Sequence, residues 1–310
     1  MQKKEKKEHF LQKNMVVALA AFVCCLLWGS AFPLIKIGYD LFRIQAEDVA
    51  TQILFAGCRF AFAGLLVIIL LSICKRKVML PQQGSFGPIV ILGLIQTVAQ
   101  YVFFYIGLAH AQGVKASIIE GSNVFLAILI AALIFRQEAL TSRKVLGCVL
   151  GFAGVVLVNM NGGLDFHMSF LGEGFVLISC IAYSFSSVFM KWYSKRFDPI
   201  RLSGYQFLMG GLIMIAMGLF SGGQLEYVTT KGMVLLTYLA FLSATAYSLW
   251  ALLLKYNPIS KVAVYGFMNP ICGAVLSACL LHETTDVKKS ILALVLVCMG
   301  IYIVNRPEKR

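Results

Sequence analysis

The sequence predicts an all-α integral membrane protein of ten transmembrane helices arranged as two inverted five-helix repeats. Three observations carry that expectation: apolar runs of spanning length fill nearly the whole chain, basic residues alternate between its connections, and the first half repeats in the second. The 310 residues are 59% hydrophobic and 13% charged, with a mean hydropathy of +0.83. A soluble domain carries about 25% charged residues, and a chain this apolar would expose more oily surface than water tolerates.

Taken in order, residues 1–14 are polar and lysine-rich and read as a tail. The run from Met15 continues through Trp28 to Ile35. It is too long for a signal-peptide h-region and lacks an A-x-A site, so it reads as a retained first helix. The spans are expected at 15–36, 50–74, 86–109, 113–135, 143–160, 171–193, 202–220, 232–254, 260–281 and 289–305. Each approaches the roughly 20 apolar residues that a crossing needs. Pro81, Pro199 and Pro258 stand in or beside the connections, where helix breakers belong. No segment is long enough for a soluble domain.

Most of the 27 lysines and arginines fall on one set of alternate connections. That set holds the tail (Lys3, Lys4, Lys6, Lys7, Lys13), Lys75–Lys77, Arg136, Arg143, Lys144, Lys191, Lys195, Arg196, Arg201, Lys255, Lys261, Arg306, Lys309 and Arg310. The other set has Lys36, Arg43, Lys115, Lys231, Lys288 and Lys289, and Arg59 lies within a span. Positive charge marks the cytoplasmic side, so both termini are expected there, in a multi-pass protein of the cell membrane.

Laying Tyr101 on Tyr247 also lays Lys115 on Lys261, Asn123 on Asn269, Gly154 on Gly300 and Asn159 on Asn305. A one-residue adjustment sets Phe60, Gly64 and Leu65 on Phe207, Gly211 and Leu212, and a larger one sets Trp28 to Lys36 on Tyr183 to Lys191. The repeats therefore run over 15–160 and 171–305. With an odd number of spans in each, the second inserts upside down relative to the first, an arrangement that recurs in alternating-access transporters.

Several residues in this pattern resemble the EamA-type members of the drug/metabolite transporter superfamily. The first helix has Trp28-Gly29-Ser30-Ala31-Phe32-Pro33 and the second Cys58-Arg59-Phe60; Gln137-Glu138-Ala139-Leu140, Gly147 and Gly154 close the first repeat. Asn269-Pro270, His282-Glu283 and Gly300 belong to the second. The chain departs from the family pattern at Val124, where a proline is usual, at Gln137 and His282 for glycine, and at Gln206 for the second arginine. The resemblance implies a ten-helix carrier of small organic solutes, an exporter of amino acids, amines or related metabolites.

Ionisable groups inside a bilayer are costly and are the first candidates for function. Arg59 and Glu120 lie at similar depths from the outer ends of their helices, which allows an ion pair. One reading has Arg59 binding a substrate carboxylate and Glu120 taking a proton or an ammonium; the other is a fixed pair that locks two helices. Asn123 and Asn269 are related by the repeat, and Pro270 frees a carbonyl one turn earlier, as in broken transporter helices. Trp28, Tyr101, Phe104, Tyr105, Tyr183, Tyr247, Trp250 and Tyr265 could line an aromatic pocket, although such residues also pack between helices or sit at interfaces. Glu138 and Glu283 read as structural caps. Lys36 and Lys191 read as snorkelling to opposite interfaces.

The nine cysteines lie nearly all in apolar runs without metal-ligand spacing, so no metal and no cofactor are expected. Nucleic acid is excluded as a partner by the lack of any reader motif. The expected partners are a small-molecule substrate and the bilayer, with the chain a two-lobed monomer. The alternative class is a membrane-embedded enzyme acting on a lipid or prenyl substrate. It would need acid/base or metal clusters, and no paired aspartates, H-E-x-x-H or G-x-S-x-G occur. A Walker glycine loop and a filter-like repeat are also lacking.

Overall fold

A computed structural model describes residues 10–45, 47–111, 116, 119–159, 169–281 and 287–306, and every regular element among them is helical. Helices α1 (Asn14–Phe42) and α2 (Val49–Lys75) come first. A continuous rod follows, made of α3 (Phe86–Leu92), a π segment (Gly93–Ala99) and α4 (Gln100–His110). Next are α5 (Asn123–Leu129) with a π segment (Ile130–Ile134), then α6 (Ser142–Asn159). A π turn (Phe170–Gly174) opens α7 (Phe175–Tyr193), followed by α8 (Pro199–Phe220) and α9 (Thr230–Tyr256). Last are α10 (Ile259–Ala263), a 3-10 turn (Val264–Phe267), α11 (Met268–Leu281) and α12 (Val287–Asn305).

Seven of the described helical stretches are long and apolar enough to cross a membrane, and Ile119–Ile134 forms a shorter apolar helix. Two boundaries differ from expectation for readable reasons. The first helix runs on to Phe42 and stops where Arg43 turns left-handed (φ 54°), its guanidinium 3.8 Å above the Tyr227 ring. The stretch expected at 260–281 is broken at the 3-10 turn. Pro270 has no N–H to offer the carbonyl of Gly266, so the α-ladder cannot close there. Lys115, His282 and Glu283 lie outside the described residues.

The outer surface is apolar. Ile69, Leu70 and Ile73 on α2, Leu212, Leu219 and Phe220 on α8, and Ile291, Leu292, Val295 and Met299 on α12 are all exposed. Such a continuous surface suits lipid rather than water.

Two glycine seams hold the interior. An added Cβ on Gly57 would lie 3.0 Å from the Gly211 carbonyl, and one on Gly64 would lie 2.6 Å from the Gly204 carbonyl. Helices α2 and α8 therefore pack backbone to backbone, and antiparallel, since the earlier glycine of one meets the later glycine of the other. An added Cβ on Gly147 would lie 2.7 Å from the Gly300 carbonyl and one on Gly154 2.7 Å from the Ala293 carbonyl, so α6 and α12 repeat the arrangement. Small residues permit this approach, and close packing replaces the hydrophobic drive that lipid does not supply.

Capping fixes the ends. Asp48, Asp198 and Thr229 accept backbone N–H groups at the starts of α2, α8 and α9. Lys191 donates to the carbonyls of Leu254 and Asn257, capping the end of α9. Glu138 ties the connection before α6 to the start of α10: Oε1 accepts from Ser260 N at 2.9 Å and Oε2 from Ser260 Oγ, while Lys144 Nζ lies 2.7 Å from Oε2. Glu138→Ala removes a cap and a mostly buried ion pair together. A loss of about 2 kcal/mol is expected, seen as a fall of a few degrees in the unfolding midpoint of detergent-solubilised protein.

Candidate functional site

The centre of the molecule is built from pairs of residues that the internal repeat equates. Phe60 on α2 stacks on Phe207 on α8, with centroids 5.4 Å apart and planes at 26°. Tyr101 on α4 and Tyr247 on α9 meet hydroxyl to hydroxyl at 2.6 Å. Phe60 packs on Tyr101 at 4.3 Å, and Phe207 on Tyr247 at 5.0 Å. The glycine seam sets this geometry, because α2 and α8 come close enough for their phenylalanines to overlap.

Beside the aromatic stack lies Arg59, only 2% exposed. Its Nε donates to Ser243 Oγ at 2.9 Å, and Ser243 in turn donates to the Leu239 carbonyl. The Tyr105 hydroxyl lies beside the guanidinium and Tyr39. No described carboxylate forms an ion pair with Arg59. Among the described residues the cation is thus met by hydroxyls and by the Phe60 ring, 5.2 Å from Cζ to the centroid. The equivalent place in the second half holds Gln206, whose Oε1 accepts from Thr97 Oγ1 at 2.7 Å and whose Nε2 donates to Gln96 Oε1 at 3.1 Å. Arg59 with Ser243 and Gln206 with Thr97 are corresponding contacts across the repeat, one charged and one neutral. A buried cation facing exchangeable hydroxyls is suited to receiving an anionic group.

The other expected residues fall around this centre. Trp28 packs edge-on against Tyr247 at 5.1 Å and Trp250 at 5.0 Å, and its Nε1 is buried without a partner. Tyr183 lies near Tyr101 on the α7 side. Phe104 lies edge-on to Tyr105. Tyr265 sits in the 3-10 turn, its carbonyl accepting from Cys25 Sγ at 3.2 Å. Asn123 opens α5 and Asn269 is the second residue of α11, and the two starts lie near each other, an added Cβ on Gly266 lying 3.2 Å from Val124. Both asparagine Oδ1 atoms are buried without a partner, while the Asn123 carbonyl accepts from Ser184 Oγ at 3.2 Å.

Glu120 is not brought to Arg59. It is half-buried beside Cys180 of α7, next to the apolar group of Ala116, Val176 and Cys180, and makes no ion pair with a described residue. The expected pair does not form because α2 faces α8 and α9, whereas Glu120 faces α7. Sequence reasoning also passed over Ser243, Thr97, Gln96, Gln206 and Phe207 as site residues. The signal that finds them is the repeat itself, which lays Arg59 and Phe60 on Gln206 and Phe207, and Thr97 on Ser243.

Comparison with known proteins agrees with this architecture. A solved crystal structure superposes with a TM-score of 0.77 at 18% identity, covering 93% of this chain and 97% of that one, which shows a shared fold. An uncharacterized transporter of Bacillus subtilis, YvbV, is 27% identical over 96% of this chain and 94% of its own. A WAT1-related chloroplastic protein of Arabidopsis thaliana is 23% identical over 91% of this chain and 67% of its own. Residues 15–160 and 170–306 each match the EamA-like transporter family. Two matches that together span nearly the whole chain make this protein a member of the EamA-like transporter family.

Proposed function

We propose that the chain is a secondary carrier of small organic metabolites, working by alternating access across the cell membrane with both termini in the cytoplasm. Its ten helices form two inverted five-helix repeats, 15–160 and 171–305. Support for the inversion comes from the seams: repeat-related helices that pack antiparallel, as α2 with α8 and α6 with α12, are what a two-fold axis in the membrane plane produces. The polar contacts that cross the axis at the centre are Arg59 to Ser243, Tyr101 to Tyr247, Thr97 to Gln206 and Gln206 to Gln96, beside the Phe60–Phe207 stack and the glycine seam. Hydroxyls exchange partners readily, so a solute can take the place of these polar contacts while the α2–α8 seam stays closed.

The observation that carries the reading is Arg59, a buried cation at the junction of the halves with no carboxylate partner among the described residues. It favours solutes with an anionic group, amino acids among them, and the family resemblance favours export. Trp28 and the tyrosines supply an apolar and aromatic wall, and the buried Asn123 and Asn269 Oδ1 atoms, without a hydrogen-bond partner among the described residues, supply acceptors nearby. Glu120, isolated from Arg59, is the candidate for a proton or an ammonium.

The test is flux in proteoliposomes, using a pooled library of labelled amino acids and amines, with and without a pH gradient. Saturable, protein-dependent flux of one solute is expected. Glu120→Gln is expected to lose the gradient dependence while retaining exchange. Flux in that variant with unchanged rate and pH response would remove Glu120 from the mechanism, and no flux of any solute from folded protein would overturn the carrier reading.

A further inference from the structure

A second charged site lies far from the centre, at one end of the bundle. The connection after α2 folds back against the turn between α7 and α8, and an open cavity of about 520 Å³ lies between them. Lys77, Arg196 and Arg201 line it, together with Gln82, Gln83 and Phe197. The connection is firmly anchored: Tyr205 Oη donates to the Met79 carbonyl at 3.0 Å, Arg201 Nη1 to the Leu80 carbonyl at 3.2 Å, and the Asp198 N–H to Gln82 Oε1 at 2.6 Å. The cavity is a built feature of the fold.

Its charge is unbalanced. Lys77, Arg196 and Arg201 form no ion pair with a described carboxylate. The neighbouring acid, Asp198, is engaged as the α8 cap, Oδ1 accepting from Arg201 N at 2.9 Å. Arg201 Nε is buried without a hydrogen-bond partner. Two apolar residues of the same lining, Val78 and Leu80, are 76% and 65% exposed. Cations and bare hydrocarbon side by side in one lining, placed where two membrane-length helices end, match an ion held at the headgroup level with chains running alongside.

We propose that this cavity binds the headgroup phosphate of an anionic membrane phospholipid, with Val78 and Leu80 against its acyl chains. Arg201 and Arg196 hold the phosphate oxygens, and Lys77 adds a third charge at the rim. An anionic lipid is favoured over a zwitterionic one because no lining residue is an acid that could receive a choline or ethanolamine cation.

Native mass spectrometry of the full-length protein in detergent tests this, with phosphatidylglycerol and phosphatidylcholine of matched chains as probes and inorganic phosphate as competitor. Selective retention of phosphatidylglycerol is expected. The double variant Lys77→Gln/Arg196→Gln should weaken it roughly thirtyfold, at about 1 kcal/mol for each charge. Neither side chain makes a hydrogen bond or ion pair with another described residue, so this variant leaves the fold intact. Arg201→Gln, checked for a retained unfolding midpoint, should weaken retention further. Equal retention of both lipids, or retention unchanged in the double variant, would overturn the site. Displacement by millimolar inorganic phosphate would make it a free-anion site and overturn the lipid assignment.

Discussion

Arg59→Gln is expected to abolish transport, by about a hundredfold or more, while leaving the protein as stable as before or raising its unfolding midpoint. The two halves of that expectation have one cause. Arg59 is buried to 2% exposure with hydroxyl neighbours and no carboxylate partner among the described residues. A cation in that position keeps a desolvation cost that its partners only partly offset. Glutamine removes the charge and can still hydrogen-bond Ser243. If Arg59 were there to lock helices, its removal would instead cost about 3–5 kcal/mol, as loss of one member of a buried pair does. Flux of the solute found in the liposome screen, set beside thermal unfolding of the same preparations, separates the cases. A variant that loses both transport and stability would assign Arg59 to structure. Arg59→Lys retains the charge but not the planar fork, so it should recover only part of the flux.

How much of this site the sequence discloses depends on the kind of inference. Arg59 is legible, because a charge inside an apolar run has few explanations. Its partner is not. Depth along a helix says which residues can share a level, but not which neighbour a helix faces; Arg59 and Glu120, expected at one level, face different helices. Ser243 is hidden for another reason, since a serine in an apolar run reads as a close-packing residue unless its repeat equivalent, Thr97, is considered with it. The fold is more legible. The break at Val264–Phe267 follows from Pro270, a local cause. The end of α1 does not follow from local sequence, because Arg43 is held by Tyr227 from a distant connection.

The glycine seam yields the second large effect. Gly211→Ala should cost about 1–3 kcal/mol and lower the yield of monodisperse protein, and Gly211→Leu should prevent folding. The added Cβ would stand 2.2 Å from Ala61 N, 2.7 Å from Ala61 Cα and 2.9 Å from the Gly57 carbonyl, all of them backbone atoms of α2. Backbone cannot yield without parting the helices, and parting α2 from α8 separates Phe60 from Phe207 and moves Arg59 relative to Ser243. Gly93→Ala is the matched control. Its Cβ would stand 2.3 Å from Met209 Cε, the end of a flexible side chain that can turn aside, and meet backbone no closer than the Gln206 carbonyl, 3.2 Å away. Alanine is the better helix former by about 1 kcal/mol, so Gly93→Ala should be neutral or slightly stabilising. Under the two-fold relation, Gly64→Ala should match Gly211→Ala, its Cβ meeting Leu208 N at 2.4 Å and the Gly204 carbonyl at 2.6 Å. Gly204→Ala meets Val67 and Ile68 side chains at 3.0 Å and 3.1 Å and should cost less. Unfolding midpoints of the four variants that rank Gly211 and Gly64 together, well below Gly204 and Gly93, are expected if backbone contact between α2 and α8 holds the two halves together. Equal losses at all four would mean that added volume alone decides, and that the seam has no special part in joining them.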